Sequence, residues 1–139
     1  MSSDCFFCLK KNCKIIFETD FFFTIRDTSY PVTKHHTLII SNRHIESYFD
    51  LTADELNDLN KILKKQRKEL IKIDSKITGF NVGVNIGKDA GQSIMHCHIH
   101  LIPRRKGDVK DPRGGVRGVI PSKQKYKKIN ILHWIYNAT

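Results

Sequence analysis

Ser93-Ile-Met-His96-Cys-His98-Ile-His100-Leu-Ile-Pro103-Arg104 is the stretch that decides how this chain is read. Along a β-strand, successive side chains point to opposite faces. His96, His98 and His100 therefore fall on one face, roughly 7 Å apart, and Cys97, Ile99 and Leu101 on the other. The apolar row packs a core. The histidine row cannot be buried cheaply without partners, so it meets a ligand, a metal or water.

Four readings of that row compete. The histidines lie on an exposed strand and do nothing, or they bind one metal ion, or they sense pH, or one of them attacks phosphorus. Residues at i, i+2 and i+4 on a flat strand splay too widely to share an ion comfortably. A neutral imidazole is a good nucleophile towards phosphorus, and its phosphoramidate splits one hard displacement into two easier ones.

Outward from this stretch, Gly79–Ile86 alternates around Phe80, Val82 and Val84 as a strand does, and a turn at 87–91 leads into a strand over Ser93–Pro103. Upstream, Ile15–Glu18 and Phe21–Arg26 form two strands around a turn at Thr19-Asp20, and Thr37–Ser41 a third. Between them stands one helix. Thr52 and Glu55 have capping-box spacing, and Leu56, Leu59, Ile62, Leu63 and Leu70 recur near helical period to an end near Ile71. The expected architecture is α+β, an antiparallel sheet of about five strands against one long helix, in a single domain over residues 1–139.

Composition bounds the function. The 139 residues contain 24 Lys and Arg against 14 Asp and Glu, a formal net charge of +10, and such a surface attracts polyanions. Basic residues concentrate between Arg104 and Lys128, among glycines and prolines, so this segment is a loop rather than a helix. No apolar run reaches the ~20 residues of a membrane span, and no membrane partner is expected. Met1-Ser-Ser-Asp-Cys-Phe-Phe-Cys lacks the basic-then-apolar order of a secretory signal. A cytoplasmic location follows, with the cysteines as thiols or metal ligands rather than disulfides.

The motif His-φ-His-φ-His-φ-φ, with φ apolar, is matched by His96-Cys-His98-Ile-His100-Leu-Ile. Together with Asn85, Gly87, Ala90–Ser93, Pro103-Arg104, His36–Ile40 and Arg43–Glu46, it resembles the histidine triad (HIT) superfamily of nucleotide hydrolases and transferases. The resemblance covers roughly Cys5 to Arg104. It implies a nucleotide hydrolase acting at the α-phosphate of dinucleoside polyphosphates or adenosine phosphoramidates. His98 would be the nucleophile, giving a nucleotidyl-histidine, and His100 would hold phosphate and help protonate the leaving group. Asn85, Gly91, Gln92 and Ser93 would bind phosphate, Asp27 the ribose hydroxyls, and His36 would support the histidine row. Asn85 and Ser93 also suit turn and strand-end positions, and Asp27 also suits a turn cap.

The same resemblance gives the Cys5-Phe-Phe-Cys8 pair a purpose, as half of a structural zinc site completed by His44 and His96, with no organic cofactor. It implies a homodimer, with the 104–128 segment folded over the nucleotide site and Arg113 and Arg117 gripping phosphate. The apolar ending around Trp134 would pack on the body or at a dimer interface. One departure is local: His35 stands where relatives usually have glycine. Rival functions are a nucleotidyl transferase or phosphorylase, a deadenylase of adenylated nucleic acid, and a nucleotide-binding module without turnover. Nucleic acid is an allowed partner but not a favoured one.

Overall fold

The computed structural model describes residues 4–126; the Trp134 region and the last two basic residues of the 104–128 segment lie outside them. β1 (Ile15–Glu18) and β2 (Phe22–Arg26) form a hairpin. Its turn closes through Thr19, whose N–H donates to the Phe22 carbonyl (2.8 Å) and whose Oγ1 accepts from Phe22 N–H (3.0 Å). β3 (Thr37–Ser41), α1 (Ala53–Ile73), β4 (Ile77–Gly83) and β5 (His98–Arg105) follow. The five strands lie in the order β1-β2-β3-β5-β4, and each neighbouring pair is antiparallel. The α+β reading of one long helix on five antiparallel strands holds.

Helix α1 starts where the capping box puts it. Glu55 N–H donates to Thr52 Oγ1 (3.2 Å) and Thr52 N–H to Glu55 Oε2 (2.8 Å). The helix runs two residues beyond Ile71, to Ile73. Its buried stripe is Glu55, Leu59, Ile62, Gln66 and Leu70, so Leu56 sits at the rim instead of in the core. Glu55 takes that inward place because it is bonded to Arg43 as well as to the cap. Leu59 and Ile62 pack with Phe22, Ile39, Cys97 and Ile99, while Leu70 packs with Ile77 and Leu101. Each such aliphatic side chain contributes about 1.5–3 kcal/mol on burial, and together they fix which face of β5 meets the helix.

The opposite face of the sheet is also covered. Phe7, from the segment before β1, packs with Phe23, Ile25, Leu38 and Ile40.

Five strand boundaries differ from the sequence expectation. β2 begins at Phe22 rather than Phe21, β4 begins at Ile77 rather than Gly79, and β5 ends at Arg105 rather than Pro103. Two others shift further. β4 ends at Gly83, releasing Val84–Ile86, and β5 begins at His98 rather than at Ser93. The backbone before His98 is spent elsewhere. Ile94 O accepts from His96 N–H (2.8 Å), and Cys97 N–H donates to Ile45 O (2.6 Å).

The described residues divide into two compact units after Asp108. The second is closed on itself around Gln124. Gly114 has φ +84, and a Cβ there would lie 1.9 Å from the Gln124 carbonyl oxygen, so only glycine fits. Arg117 donates to the carbonyls of Lys123 and Gln124 and stacks on Tyr126, and Arg113 pairs with Asp111.

Candidate active site and metal centre

Register places the histidines. His98 stands opposite Ile40 and His100 opposite Leu38 on β3, which puts both imidazoles on the face away from the helix. Their ring centroids are 5.2 Å apart, closer than a flat strand spaces them. His96 lies just before the strand, yet Phe7 contacts the rings of both His96 (5.9 Å) and His98 (5.2 Å). The three rings therefore share one side.

Hydrogen bonds fix their protons. The His98 Nδ1–H donates to the His96 carbonyl (2.7 Å), since a carbonyl can only accept. In the neutral ring the lone pair is then on Nε2. Burial holds His98 below the ordinary histidine value, with the carbonyl bond opposing it. The ring is thus neutral near pH 7, as a nucleophile must be.

A second chain of bonds runs into His100. Val32 N–H donates to His36 Nδ1 (3.2 Å), so the His36 proton sits on Nε2 and is given to His100 Nδ1 (3.0 Å). Asp27 Oδ2 is 3.6 Å from the same His36 Nδ1, too long for a hydrogen bond, and the amide decides the tautomer. His100 is left with its proton on Nε2, and that atom is buried without a partner among the described residues. Burial first, then His98 and His36, push His100 down to about 4. Side by side stand an imidazole with its Nε2 lone pair and an imidazole with an unused Nε2–H.

Strain marks the entry to His36. His35 has φ 70, in the left-handed region, which a side chain tolerates at a cost. This explains why glycine is the expected residue there. Asp27 N–H donates to His36 O (2.9 Å), and Asp27 Oδ1 accepts from the amides of Ser29 and Tyr30 (3.0 and 3.1 Å). Asp27 thus caps a turn, with Oδ2 left facing His36.

Asn85, Gly91 and Ser93 all lie in the loop that joins β4 to β5. Gly91 takes a left-handed conformation (φ 89). Gln92 is different. It is buried, its Oε1 accepts from Gly87 N–H (2.8 Å), and its Nε2 donates to the carbonyls of Glu46 (2.9 Å) and Ile94 (3.3 Å). Every polar group of this side chain is spent on shaping the loop.

Cys5, Cys8, His44 and His96 converge, their candidate ligand atoms all within 4.8 Å of one another. His96 Nδ1 lies 3.4 Å from Cys5 Sγ, 3.6 Å from Cys8 Sγ and 3.1 Å from His44 Nδ1, and Cys8 Sγ lies 3.2 Å from His44 Nδ1. A tetrahedral zinc with ordinary Zn–S and Zn–N bonds needs ligand atoms about 3.3–3.8 Å apart. The donor set fits. The His96 Nε2–H donates to Ser41 O (2.7 Å), which turns the Nδ1 lone pair to the cluster, as a metal-ligating histidine requires. Burial and the neighbouring Cys5 raise the Cys8 thiol above its ordinary value, and a cation held between the two sulfurs would favour the thiolate instead. All four residues are protein ligands, so the centre they could form is closed and structural. A cavity of about 480 Å³ opens beside the cluster, bordered by Phe6 and Ser93.

Several contributors carry no sequence signal. Phe7 against His98, the Ser41 carbonyl behind His96 and the Val32 amide behind His36 are brought in by folding. Only Phe7, set inside the Cys-Phe-Phe-Cys pair, stands next to a recognisable motif.

Comparison with known proteins identifies the family and the fold. The HIT domain family profile matches residues 9–107. The bis(5'-nucleosyl)-tetraphosphatase (asymmetrical) of Schizosaccharomyces pombe is 37% identical over 81 residues, 58% of this chain and 44% of that protein. AP-4-A phosphorylase of Mycobacterium tuberculosis is 38% identical over 80 residues, 57% of this chain and 40% of that protein. The chain thus spans less than half the length of either relative. A crystal structure of a Zn-bound histidine triad family protein from Mycobacterium smegmatis superposes with a TM-score of 0.68 at 28% identity, covering 78% of this chain and 80% of that one. Among the described residues no helix is long and apolar enough to cross a membrane. This chain belongs to the HIT domain family.

Proposed function

We propose that this chain hydrolyses nucleotides at the α-phosphate, with dinucleoside polyphosphates or adenosine phosphoramidates as substrates and His98 as the nucleophile. The observation that carries the reading is the pair of assigned protons, a bare Nε2 on His98 beside an unpartnered Nε2–H on His100. His98 Nε2 attacks the α-phosphorus, forming a P–N bond as the P–O or P–N bond to the leaving group breaks. The His100 Nε2–H holds a phosphoryl oxygen on which charge develops, and the leaving group takes up a proton from solvent that the attacking water returns in the second step. Water then attacks the same phosphorus, the P–Nε2 bond breaks, and the nucleoside monophosphate leaves with His98 neutral again.

Asn85, Gly91 and Ser93 face the phosphate in this reading, while Gln92 sets the loop that carries them. Asp27 Oδ2 accepts from the ribose hydroxyls. Zinc, where bound by Cys5, Cys8, His44 and His96, supplies a structural tie between the N-terminal arm and the histidine strand. The exposed flank of β4, with Val82 48% exposed at the sheet's end, supports a homodimer, and the unpaired thiols suit the reducing cytoplasm.

The test is intact-protein mass and product analysis with a diadenosine polyphosphate and an adenosine phosphoramidate, for wild type and His98→Gly. Adduct and adenosine monophosphate from wild type alone are expected. A fully active His98→Gly overturns the assignment. The similarity to AP-4-A phosphorylase favours one second reading, phosphate instead of water as acceptor. Adenosine diphosphate formed only when inorganic phosphate is present would identify it.

A further inference from the structure

Over Cys5–Cys13 the N-terminal arm is tied to the sheet through side chains. Among the described residues, the backbone hydrogen bonds of Cys5–Cys13 outside helical turns run within the arm and to Ile15. Its anchors are the Cys5 and Cys8 thiols, Lys10 on Glu18 and Asn42, and Phe7. Phe7 lies between the two cysteines in sequence and is 2% exposed. Its ring meets the edge of His98 at 5.2 Å and 62°, and of His96 at 5.9 Å and 82°. On its other side are Phe23, Ile25, Leu38 and Ile40.

His98 is therefore oriented from two directions. Its Nδ1–H is fixed by the His96 carbonyl, and its ring plane is fixed by Phe7. Both supports come from the metal cluster, the first from a ligand residue and the second from the residue beside two ligand residues. Without Phe7 the ring keeps only the Nδ1 bond and the edge of His100. It then tilts, the Nδ1–H···O bond and the tautomer it fixes are loosened, and Nε2 swings off the line of attack. A displacement of about 1 Å in a reacting atom can cost about 100-fold in rate.

We propose that Phe7 is a positioning residue for His98, and that metal capture by Cys5 and Cys8 sets the nucleophile by seating Phe7. This rests on the reading of His98 as nucleophile. The cluster then does more than brace the fold. An arm without its metal loses two of its anchors, Phe7 leaves the His98 ring, and the imidazole samples both tautomers and several tilts. Loading of the cluster is thereby coupled to the geometry of a ring that is not itself a ligand.

The experiment uses full-length protein, zinc-loaded or stripped with a chelator, as wild type, Phe7→Ala and Phe7→Leu. Three quantities are read: zinc per chain, the tautomer of His98 in long-range ¹H–¹⁵N spectra, and single-turnover formation of the nucleotidyl adduct with kcat and KM. Zinc-loaded Phe7→Ala is expected to keep its metal and its fold. Its His98 should change from a fixed Nδ1–H tautomer to a mixture, and its adduct rate should fall about 10- to 100-fold with KM nearly unchanged. Phe7→Leu, which restores most of the bulk, should recover much of the rate. Stripped wild type should show the same His98 mixture as loaded Phe7→Ala.

Three results would overturn the proposal. In the first, Phe7→Ala keeps the fixed tautomer and the wild-type rate. In the second, it raises KM alone, which makes Phe7 a wall of the substrate site. In the third, stripped wild type keeps the loaded His98 signature. Should Phe7→Ala not fold, Phe7→Leu and the stripped wild type decide. If wild type forms no adduct with either substrate, the nucleophile reading fails, whereas the tautomer spectra still report whether the cluster and Phe7 fix His98.

Discussion

Replacing Glu55 by alanine should destabilise the protein and loosen the metal cluster together, because one carboxylate ties the helix cap to the segment bearing His44. Glu55 accepts the Thr52 amide at the helix start (2.8 Å) and takes Arg43 through both oxygens (3.0 Å each). Arg43 precedes His44, and its own carbonyl accepts from Ser41 Oγ (2.8 Å). Loss of the cap costs about 1 kcal/mol. The charge-assisted pair is worth about 1.5–3 kcal/mol in a buried setting. Arg43, however, is half exposed and keeps the Asp50 carbonyl, so water recovers part of that and about 1–2 kcal/mol remains. The sum is about 2–3 kcal/mol, which lowers Tm by about 6–12 °C for a chain of this size.

Urea and thermal unfolding of zinc-loaded Glu55→Ala, Thr52→Ala and Arg43→Met would measure it, with zinc affinity by chelator competition. Glu55→Ala should cost more than either partner substitution and weaken zinc severalfold, while Thr52→Ala should leave zinc binding nearly unchanged. A loss below about 0.5 kcal/mol, the range of an ordinary surface change, would refute the reasoning. So would a full loss of stability with unchanged zinc affinity, which would sever the cap from the cluster.

Two further outcomes are expected. His100 titrates near 6.5 when unfolded and near 4 when folded, so between those values the unfolded chain binds more protons. Its stability contribution is complete above pH 6.5 and is lost on acidification, with a slope of up to about 1.4 kcal/mol per pH unit. His100→Asn should flatten urea-unfolding free energies measured across that window, and an unchanged slope would show that His100 is not buried neutral. His35→Gly should stabilise by about 0.5–1 kcal/mol, as relief of a left-handed side chain outweighs the entropy that glycine adds, while His35→Ala should not. A destabilised His35→Gly would mean that the imidazole makes contacts worth more than the strain.

The helix start, the hairpin turn and the inward row Cys97, Ile99 and Leu101 were readable because each depends on neighbours in sequence. Thr52 and Glu55 are three residues apart, and alternation along one strand needs no distant partner. The motif residues His96, His98 and His100, and the Cys5 and Cys8 pair with His44, were legible as a pattern shared with a family. Leu56 was misplaced because periodicity counts apolar residues, and it cannot foresee that Arg43 would draw the charged Glu55 inward.

The sequence by itself determined which residue types fall on each face of one strand and that a histidine row, a Cys/His set and a basic segment are present. Tertiary structure alone decided the protons. The tautomer of His98 is set by the carbonyl two residues back, but the tautomers of His36 and His100 are set by an amide and a ring from other segments. It also decided where β5 begins, since the amide of Cys97 is claimed by Ile45 and the side chain of Gln92 by Glu46. Phe7 reaches His98 across 91 positions of sequence, and no local pattern encodes that contact. Propensity and periodicity are properties of a short window, whereas a hydrogen bond or ring contact belongs to whichever groups the packed core leaves within about 3–6 Å of each other.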